Sequence, residues 1–295
     1  MIKLGGIRWS VHPLFVLVML ASIVTGYFVE LLTLFAIVLV HELGHVITAK
    51  GFGWRVREVK LLPFGGVAEV EEGSGVPAKE EALVAIAGPL QNVWMAGIAW
   101  LFGVLGIWSH EWAAYIWQAN VMIGLFNLLP ILPLDGGKLL QAALSRMLPF
   151  YGALVWGSRI SMLFSVLMLL YAIVPAMIDR NAVHIHMNLF AVGLFLLLTN
   201  WTAYRNIPFL FLRFLTNRAL SASRSIARGV WAVPIIVPKG YTILNALQLF
   251  KRDSYHLIVI MEDKGDIVGV LPEQQLVNGF LADGRADRAV LELFM

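Results

Sequence analysis

Two histidines and a glutamate lie within one short run, 41–45, which reads His-Glu-Leu-Gly-His. On a helix, positions i and i+4 share a face, so His41 and His45 can bind one zinc ion together. Such a centre activates water for hydrolysis, and the intervening Glu42 is placed to act as the general base. A chance match is the alternative. It is weakened because ionisable residues inside an apolar segment are costly and usually functional.

Long apolar stretches surround this run. The 295 residues are 59% hydrophobic and 14% charged, with a mean hydropathy of +0.77, which argues against a soluble enzyme and a disordered chain. Six stretches approach the length of about 20 residues that a spanning helix needs. They are 13–29, 31–49, 82–108, 112–129, 160–178 and 187–204. We therefore predict a polytopic α-helical membrane protein with six transmembrane helices, the first of them an uncleaved anchor.

The basic residues set the expected orientation. Lys and Arg concentrate at the N-terminus, in the loops after the second and fourth stretches, and after the sixth. The alternate loops carry only Arg180. Because Lys and Arg mark cytosolic loops, we expect a multi-pass protein with both termini in the cytosol.

A catalytic zinc needs three protein ligands and one open position, so a third ligand must lie elsewhere. The chain has no cysteine, which excludes thiolate ligands and disulfides. Four carboxylates lie in or beside the apolar stretches: Glu30, Glu111, Asp135 and Asp179. The expected orientation puts Asp135 alone in the cytosolic half of the membrane, with the histidines. An ordinary aspartate at a helix end is the alternative, since prolines and glycines surround it.

Two further segments lie near these residues. The segment 54–72 alternates polar and apolar residues and breaks at 63–66, which predicts a short membrane-associated β-hairpin. Its edge could hold an extended substrate by β-addition, and a surface hairpin without substrate contact is the alternative. The run 88–92 interrupts the third stretch. Packing is favoured there over a hydrogen bond from Gln91 or Asn92 to the metal region.

The composition changes near Ser221, where charges and turns replace the apolar stretches. Short periodic runs predict strands and helices of a soluble α+β domain. The predicted strands are 231–237, 256–261 and 267–271, and the predicted helices are 241–251 and 272–281. We predict a membrane domain over 1–204, a cytosolic linker over 205–228 and a C-terminal domain over 229–295.

The motifs resemble those of the site-2 protease family of intramembrane zinc metalloproteases. The two matching runs are 41–45 and 127–137, the second reading Asn-Leu-Leu-Pro-Ile-Leu-Pro-Leu-Asp-Gly-Gly. The runs 62–66 and 87–91 resemble the sporulation branch of the family. The resemblance implies one Zn2+ per chain, bound by His41, His45 and Asp135, with Glu42 as the catalytic base. It also implies residues that position the substrate, namely Asn127, Pro133, Gly136, Phe64, Gly65 and Gly66.

The resemblance further implies a substrate and partners. The substrate would be a membrane-associated precursor cleaved near the cytosolic face, the sporulation sigma factor K precursor. Inhibitory membrane proteins of sporulation would be partners, and the location would be the mother-cell membrane that surrounds the forespore. Two other functions remain open: a metal transporter that uses the same ligands, which leaves Glu42 without a role, and an inactive membrane scaffold.

The C-terminal domain resembles a single cystathionine-β-synthase (CBS) domain. CBS domains pair and often bind adenine nucleotides, so the resemblance implies a homodimer and an adenine nucleotide as a second ligand. Pro272 and Gln275 replace the two polar residues of the nucleotide motif. A dimerisation or linker module without a ligand is therefore the alternative. No feature of the sequence indicates nucleic-acid binding.

Overall fold

The structure is a computed structural model of the chain. It describes residues 2–4, 7–11, 13–62, 65–71, 76–178, 186–227, 229, 231–262, 265–283 and 287–294. The α-helices of these residues are α1 (Pro13–Thr25), α2 (Phe28–Gly51), α3 (Ala78–Val104), α4 (His110–Asn127), α5 (Asp135–Met147), α6 (Phe150–Ile178), α7 (Met187–Arg205), α8 (Ile207–Ala227), α9 (Ile243–Gln248) and α10 (Glu273–Asp283). A 3-10 helix follows at Val290–Phe294. The strands are β1 (Ile2–Leu4), β2 (Ile7–Val11), β3 (Arg55–Leu62), β4 (Gly65–Glu71), β5 (Ala232–Pro238), β6 (Tyr255–Met261) and β7 (Ile267–Pro272).

Four helices in the described part of the chain are long and apolar enough to cross a membrane. They are Phe28–Gly51, Ala78–Val104, Phe150–Val174 and Met187–Arg205. The other two predicted spans coincide with α1, of 13 residues, and α4, of 18 residues. Neither reaches the same combination of length and hydropathy among the described residues. The chain is thus mostly helical, with spans that a membrane protein requires.

The predicted hairpin is part of a larger sheet. β3 and β4 pair antiparallel, and β2 pairs parallel with β3, so that the strand order is β1-β2-β3-β4. The strands β1 and β2 were not predicted, although Ile7, Trp9 and Val11 alternate with polar residues as an amphipathic strand does. β4 is the end strand of this sheet and packs against α2.

The chain divides into two compact units. The first contains 1–73 and 79–139, with α2 and the first turn of α5, which carry the candidate metal ligands. The second contains 74–78 and 140–295, with α6, α7, α8 and the C-terminal elements. In this second unit, β5 and β6 are parallel, β6 and β7 are antiparallel, and the core lies on one face of the sheet.

The core of the second unit includes α8. Phe211 and Leu215 of α8 are buried together with residues of β5, β6, β7, α9 and α10. The region predicted as a linker, 205–228, therefore contains a 21-residue helix with one face in the core. The predicted strands and helices of the C-terminal domain all occur. The helix α9, Ile243–Gln248, is shorter than the predicted range 241–251.

Candidate metal centre

Two helices bring three candidate ligands together. His41 and His45 are one turn apart on α2, and Asp135 is the first residue of α5, where a negative charge is favoured by the helix dipole. The His41 Nε2 atom lies 3.1 Å from Asp135 Oδ2 and 3.2 Å from His45 Nε2. The third pair, His45 Nε2 and Asp135 Oδ2, is 3.1 Å apart. All three residues are at least nine-tenths buried.

These separations suit a common zinc ligand set. Zinc binds imidazole nitrogen and carboxylate oxygen at roughly 2.0–2.1 Å with tetrahedral geometry, which places neighbouring ligand atoms about 3.3 Å apart. The observed triangle of 3.1–3.2 Å is close to that value. His41, His45 and Asp135 therefore form a group that could hold a metal ion and leave a fourth position open.

The outer nitrogen of each imidazole is held by α3. His41 Nδ1 lies 2.5 Å from Asn92 Oδ1, and His45 Nδ1 lies 2.7 Å from the Val84 carbonyl oxygen. The Val84 oxygen can only accept, so His45 Nδ1 donates its proton to it. The Nε2 atom of His45 then presents a lone pair to the centre of the group.

A chain of hydrogen bonds fixes the same arrangement for His41. Asn120 Nδ2 donates to the Ile116 carbonyl oxygen at 2.9 Å, so its Oδ1 is the acceptor for Asn92 Nδ2 at 3.2 Å. Asn92 must then present its own Oδ1 to His41, which makes His41 Nδ1 the donor. Both Asn92 and Asn120 are almost fully buried. The sequence favoured packing for the run 88–92 and left a hydrogen bond from Asn92 to the metal region as the alternative, and the structure shows that hydrogen bond.

When both imidazoles are neutral, three acceptor atoms consequently converge within hydrogen-bonding distance of one another. Without a cation, the lone pairs of the two Nε2 atoms and of Asp135 Oδ2 would repel. Lys138 does not fill this position, because its Nζ contacts the other carboxylate oxygen, Oδ1, at 3.3 Å. Glu42 is half-buried and interacts electrostatically with both imidazoles, Asp135 and Lys138. The donor set and its electrostatics thus fit a divalent metal.

Two glycines permit this close packing. A Cβ atom at Gly88 of α3 would lie 2.3 Å from His45 Nε2 and 2.7 Å from His41 Nε2. At Gly136, a Cβ would lie 2.1 Å from the Leu128 carbonyl oxygen, so the first turn of α5 approaches the end of α4. Any side chain at either position would displace a candidate ligand or its helix.

The other predicted site residues fall at different places. Asn127 donates from Nδ2 to the Ile123 carbonyl oxygen of its own helix at 3.1 Å, and Pro133 is exposed in the loop before α5. Gly65 and Gly66 open β4, paired with Leu62 and Leu61. Substrate contacts of these residues and of Gly136 stay predictions.

Two of the remaining carboxylate candidates lie apart from the group. Glu30 and Glu111 lie in the first turns of α2 and α4, and neither belongs to the metal-binding group found in the described residues. Phe64 and Asp179 lie outside the described residues. The interpretation of Asp135 as an ordinary loop aspartate does not explain why its Oδ2 atom faces two imidazoles.

Known proteins resemble this chain in sequence and in structure. Residues 29–108 and 104–170 match the profile of peptidase family M50. Stage IV sporulation protein FB of Bacillus subtilis is 34% identical, over 98% of this chain and 96% of the relative. A zinc metalloprotease of Methanocaldococcus jannaschii is 31% identical, over 64% of this chain and 56% of that protein.

A solved structure has a similar fold. The site-2 protease from Methanocaldococcus jannaschii matches with a TM-score of 0.52 and 27% sequence identity. The match covers 69% of this chain and 94% of that chain. Sequence and fold thus agree on the same group of proteins.

Proposed function

Because the chain belongs to peptidase family M50, the site-2 proteases, we propose that it is an intramembrane zinc endopeptidase with its catalytic residues on α2 and α5. The observation that carries the proposal is the convergence of His41 Nε2, His45 Nε2 and Asp135 Oδ2 within 3.2 Å. These three residues are the proposed metal ligands, with one Zn2+ per chain, and Glu42 is the proposed general base.

The chemistry divides between the metal and the chain. Zinc, when bound, supplies a Lewis acid for a peptide carbonyl and makes water a better nucleophile. Glu42 accepts a proton from the attacking water and passes it to the leaving amine nitrogen. Asn92 and the Val84 carbonyl hold the imidazoles in the ligating tautomer, and Lys138 holds the outer oxygen of Asp135. The buried position of the ligands keeps bulk water away from the reacting bond.

Membrane topology follows from the same proposal. Six spans, with both termini in the cytosol, would place His41 and Asp135 in the cytosolic half of the bilayer. Four of these spans have the required length and hydropathy, and the Lys and Arg distribution supports the orientation. Cleavage near the cytosolic face suits a substrate whose product is released into the cytosol.

The strand β4 is the proposed substrate-binding edge. It ends the sheet and packs against α2, so a substrate segment added to it would lie extended along the helix that carries the histidines. An extended segment exposes its peptide bonds, whereas a helical one shields them by its own hydrogen bonds.

Proline scanning of β4 tests this edge. Successive backbone N–H groups of a strand point to opposite edges, so Val67→Pro and Ala68→Pro should differ. One variant should break pairing with β3, and the other should retain the fold and lose cleavage. Full cleavage by both folded variants would overturn β-addition.

The proposed substrate is the sporulation sigma factor K precursor. Similarity to a sporulation protein over nearly the whole chain supports this substrate, together with regulation by inhibitory membrane proteins and a location in the mother-cell membrane around the forespore. For the C-terminal domain, we propose a CBS-like module that pairs two copies of the chain. Pro272 and Gln275 at the expected polar positions favour pairing over binding of an adenine nucleotide.

The decisive experiment compares the wild-type chain with Glu42→Gln in membranes that contain a tethered sigma factor K precursor. We expect cleavage by the wild type and a loss of at least about 100-fold in the variant, with zinc content unchanged. Glu111→Gln is the matched control, because it alters a carboxylate that is exposed on α4. It should cleave normally.

The other outcomes are informative. Equal cleavage by wild type and Glu42→Gln would overturn the role of Glu42 and point to another protease. Zinc flux retained by Glu42→Gln without any cleavage by the wild type would favour a transporter. Bound zinc with neither cleavage nor flux, across a panel of tethered precursors, would favour a scaffold.

A further inference from the structure

The helix α8 has two different faces. Phe211 and Leu215 are 4% and 0% exposed and lie in the core of the C-terminal domain. Outside this buried face, Phe209 is 78% exposed and Leu212 is 42% exposed, although both are large apolar residues. A helix that buries only one of two apolar faces needs an apolar environment for the other.

The face of α8 that carries Phe211 and Leu215, its inner face, is also held to the domain by hydrogen bonds. Arg218 donates from Nε and Nη2 to the two carboxylate oxygens of Glu273, at 2.9 and 2.7 Å, and from Nη1 to the Lys251 carbonyl oxygen at 2.9 Å. A further bond joins it to the Ser254 carbonyl oxygen. α8 therefore cannot turn its outer face towards the domain without breaking a buried ion pair.

The start of α8 is next to spanning helices. α7 ends at Arg205 and α8 begins at Ile207, so one residue separates α8 from a membrane span. Phe214 of α8 stacks on Phe150, the first residue of the spanning helix α6, with ring centroids 4.2 Å apart. The first turns of α8 consequently lie at the level where α6 begins and α7 ends.

The charged residues of α8 are all basic. Its sequence contains Arg213, Arg218 and Arg224 and has no Asp or Glu. Arg213 is exposed on the same side as Phe209 and Leu212, and Arg205 is exposed just before the helix. Apolar residues flanked by arginines, with no acidic residue, are typical of helices that lie in the interface of an anionic membrane.

We propose that the first turns of α8 lie in the lipid headgroup layer at the membrane face where α7 ends. Phe209 and Leu212 insert among the acyl chains, and Arg205 and Arg213 contact anionic headgroups. Because the inner face is part of the domain core, α8 holds the C-terminal domain at the membrane surface. The proposal concerns lipid contact and does not depend on the protease activity.

The absence of cysteine makes the test direct. Single-cysteine variants of the full chain would carry a bimane label in vesicles of phosphatidylcholine and phosphatidylglycerol. Phe209→Cys and Leu212→Cys are the test positions. Leu198→Cys, exposed on the spanning helix α7, is the lipid reference, and Gln275→Cys, exposed on α10, is the aqueous reference.

We expect lipids with brominated acyl chains to quench the labels at 209 and 212 several-fold more than the label at 275. Aqueous iodide should show the reverse order. Iodide quenching at 209 and 212 equal to that at 275 would overturn the proposal. Shielding from both quenchers would overturn it too, because a protein would then cover the face.

A charge reversal tests the arginine contacts separately. Arg213→Glu in the Leu212→Cys chain should shift the label from the inserted to the solvated state by at least about 5-fold, since the loss of one basic residue near an anionic surface alone costs about 1 kcal/mol. Quenching that is unchanged by this substitution and by the removal of phosphatidylglycerol would overturn the headgroup contacts.

Discussion

The clusters around His41 and around Arg218 both bury a histidine beside a carboxylate. In the first, Asp135 faces His41 and His45; in the second, Glu273 lies 3.3 Å from His256 Nδ1. The second cluster contains its own cation, because Arg218 donates to both oxygens of Glu273. In the first, the basic side chain that the described residues supply is Lys138, which contacts the outer oxygen of Asp135 and not the centre of the group.

The ring nitrogens show the same difference. His256 Nε2 accepts a hydrogen bond from the Lys251 backbone N–H at 3.3 Å, so its lone pair is satisfied by the protein. The Nε2 atoms of His41 and His45 instead face each other and a carboxylate. A buried histidine whose outer nitrogen donates, and whose inner nitrogen meets only acceptors, indicates a metal site. By this comparison His256 is a structural histidine, whereas His41 and His45 have the arrangement of metal ligands.

The largest expected effect on metal binding comes from a change at Asp135. Asp135→Asn keeps the shape of the side chain and removes the charge that balances the metal. We expect zinc affinity to fall by at least about 100-fold, more than for a substitution beyond the ligands. Zinc per chain would be measured after competition with a chelator. Asp266→Asn, which removes an exposed carboxylate just before β7, is the control and should retain zinc. Retention of zinc by Asp135→Asn would contradict the ligand assignment.

The next prediction concerns the stability of the cluster around Arg218. Arg218→Met leaves Glu273 buried without its cation, which should destabilise the C-terminal domain by about 3–5 kcal/mol and leave zinc content unchanged. Hydrogen exchange of β6 in the full chain measures this loss. Arg288→Met removes a more exposed pair with Glu292 and should cost less than about 1 kcal/mol. Equal losses for the two variants would contradict the distinction between a buried and an exposed ion pair.

Local sequence patterns predicted much of this arrangement. The spacing of His41 and His45 on an apolar helix placed two imidazoles on one face, and the topology argument selected Asp135, which the structure places beside them. These predictions depend on the helical repeat and on the cost of charge in a membrane, both readable from sequence.

The residues around the ligands were not predictable in the same way. Asn92 contacts His41 across 51 positions of sequence, and the role of Asn120 depends on which way the Asn92 amide points. Arg218 falls in the predicted linker 205–228, and its partner Glu273 lies 55 positions away, so no local pattern indicated the pair. Such pairs are set by tertiary packing, for which no local repeat exists.

A smaller loss of zinc affinity is expected when the hydrogen bond that sets the His41 tautomer is removed. Asn92→Leu removes the acceptor for His41 Nδ1, and we expect zinc affinity to fall by about 10–100-fold. Asn120→Leu should cost less, because it acts through Asn92. Asn200→Leu controls for the loss of a buried asparagine from a span, since Asn200 bonds within α7. Chelator competition gives the affinities, and X-ray absorption gives the number of histidine ligands. Equal affinity in all three variants would contradict the tautomer argument.

The smallest expected effect is the pH dependence of the cluster around Arg218. Burial alone would raise the pKa of Glu273, but the hydrogen bonds from His256 and Arg218 outweigh it and hold the pKa below the ordinary value of 4.5. A carboxylate with a lowered pKa stabilises the folded domain above its unfolded pKa, and this contribution is lost as the pH falls through the folded pKa. The stability of the C-terminal domain should therefore decline below about pH 4.5. Glu273→Gln should be less stable at neutral pH and should show a shallower decline with acid in hydrogen exchange of β6. An identical slope in both proteins would show that another group controls the acid response.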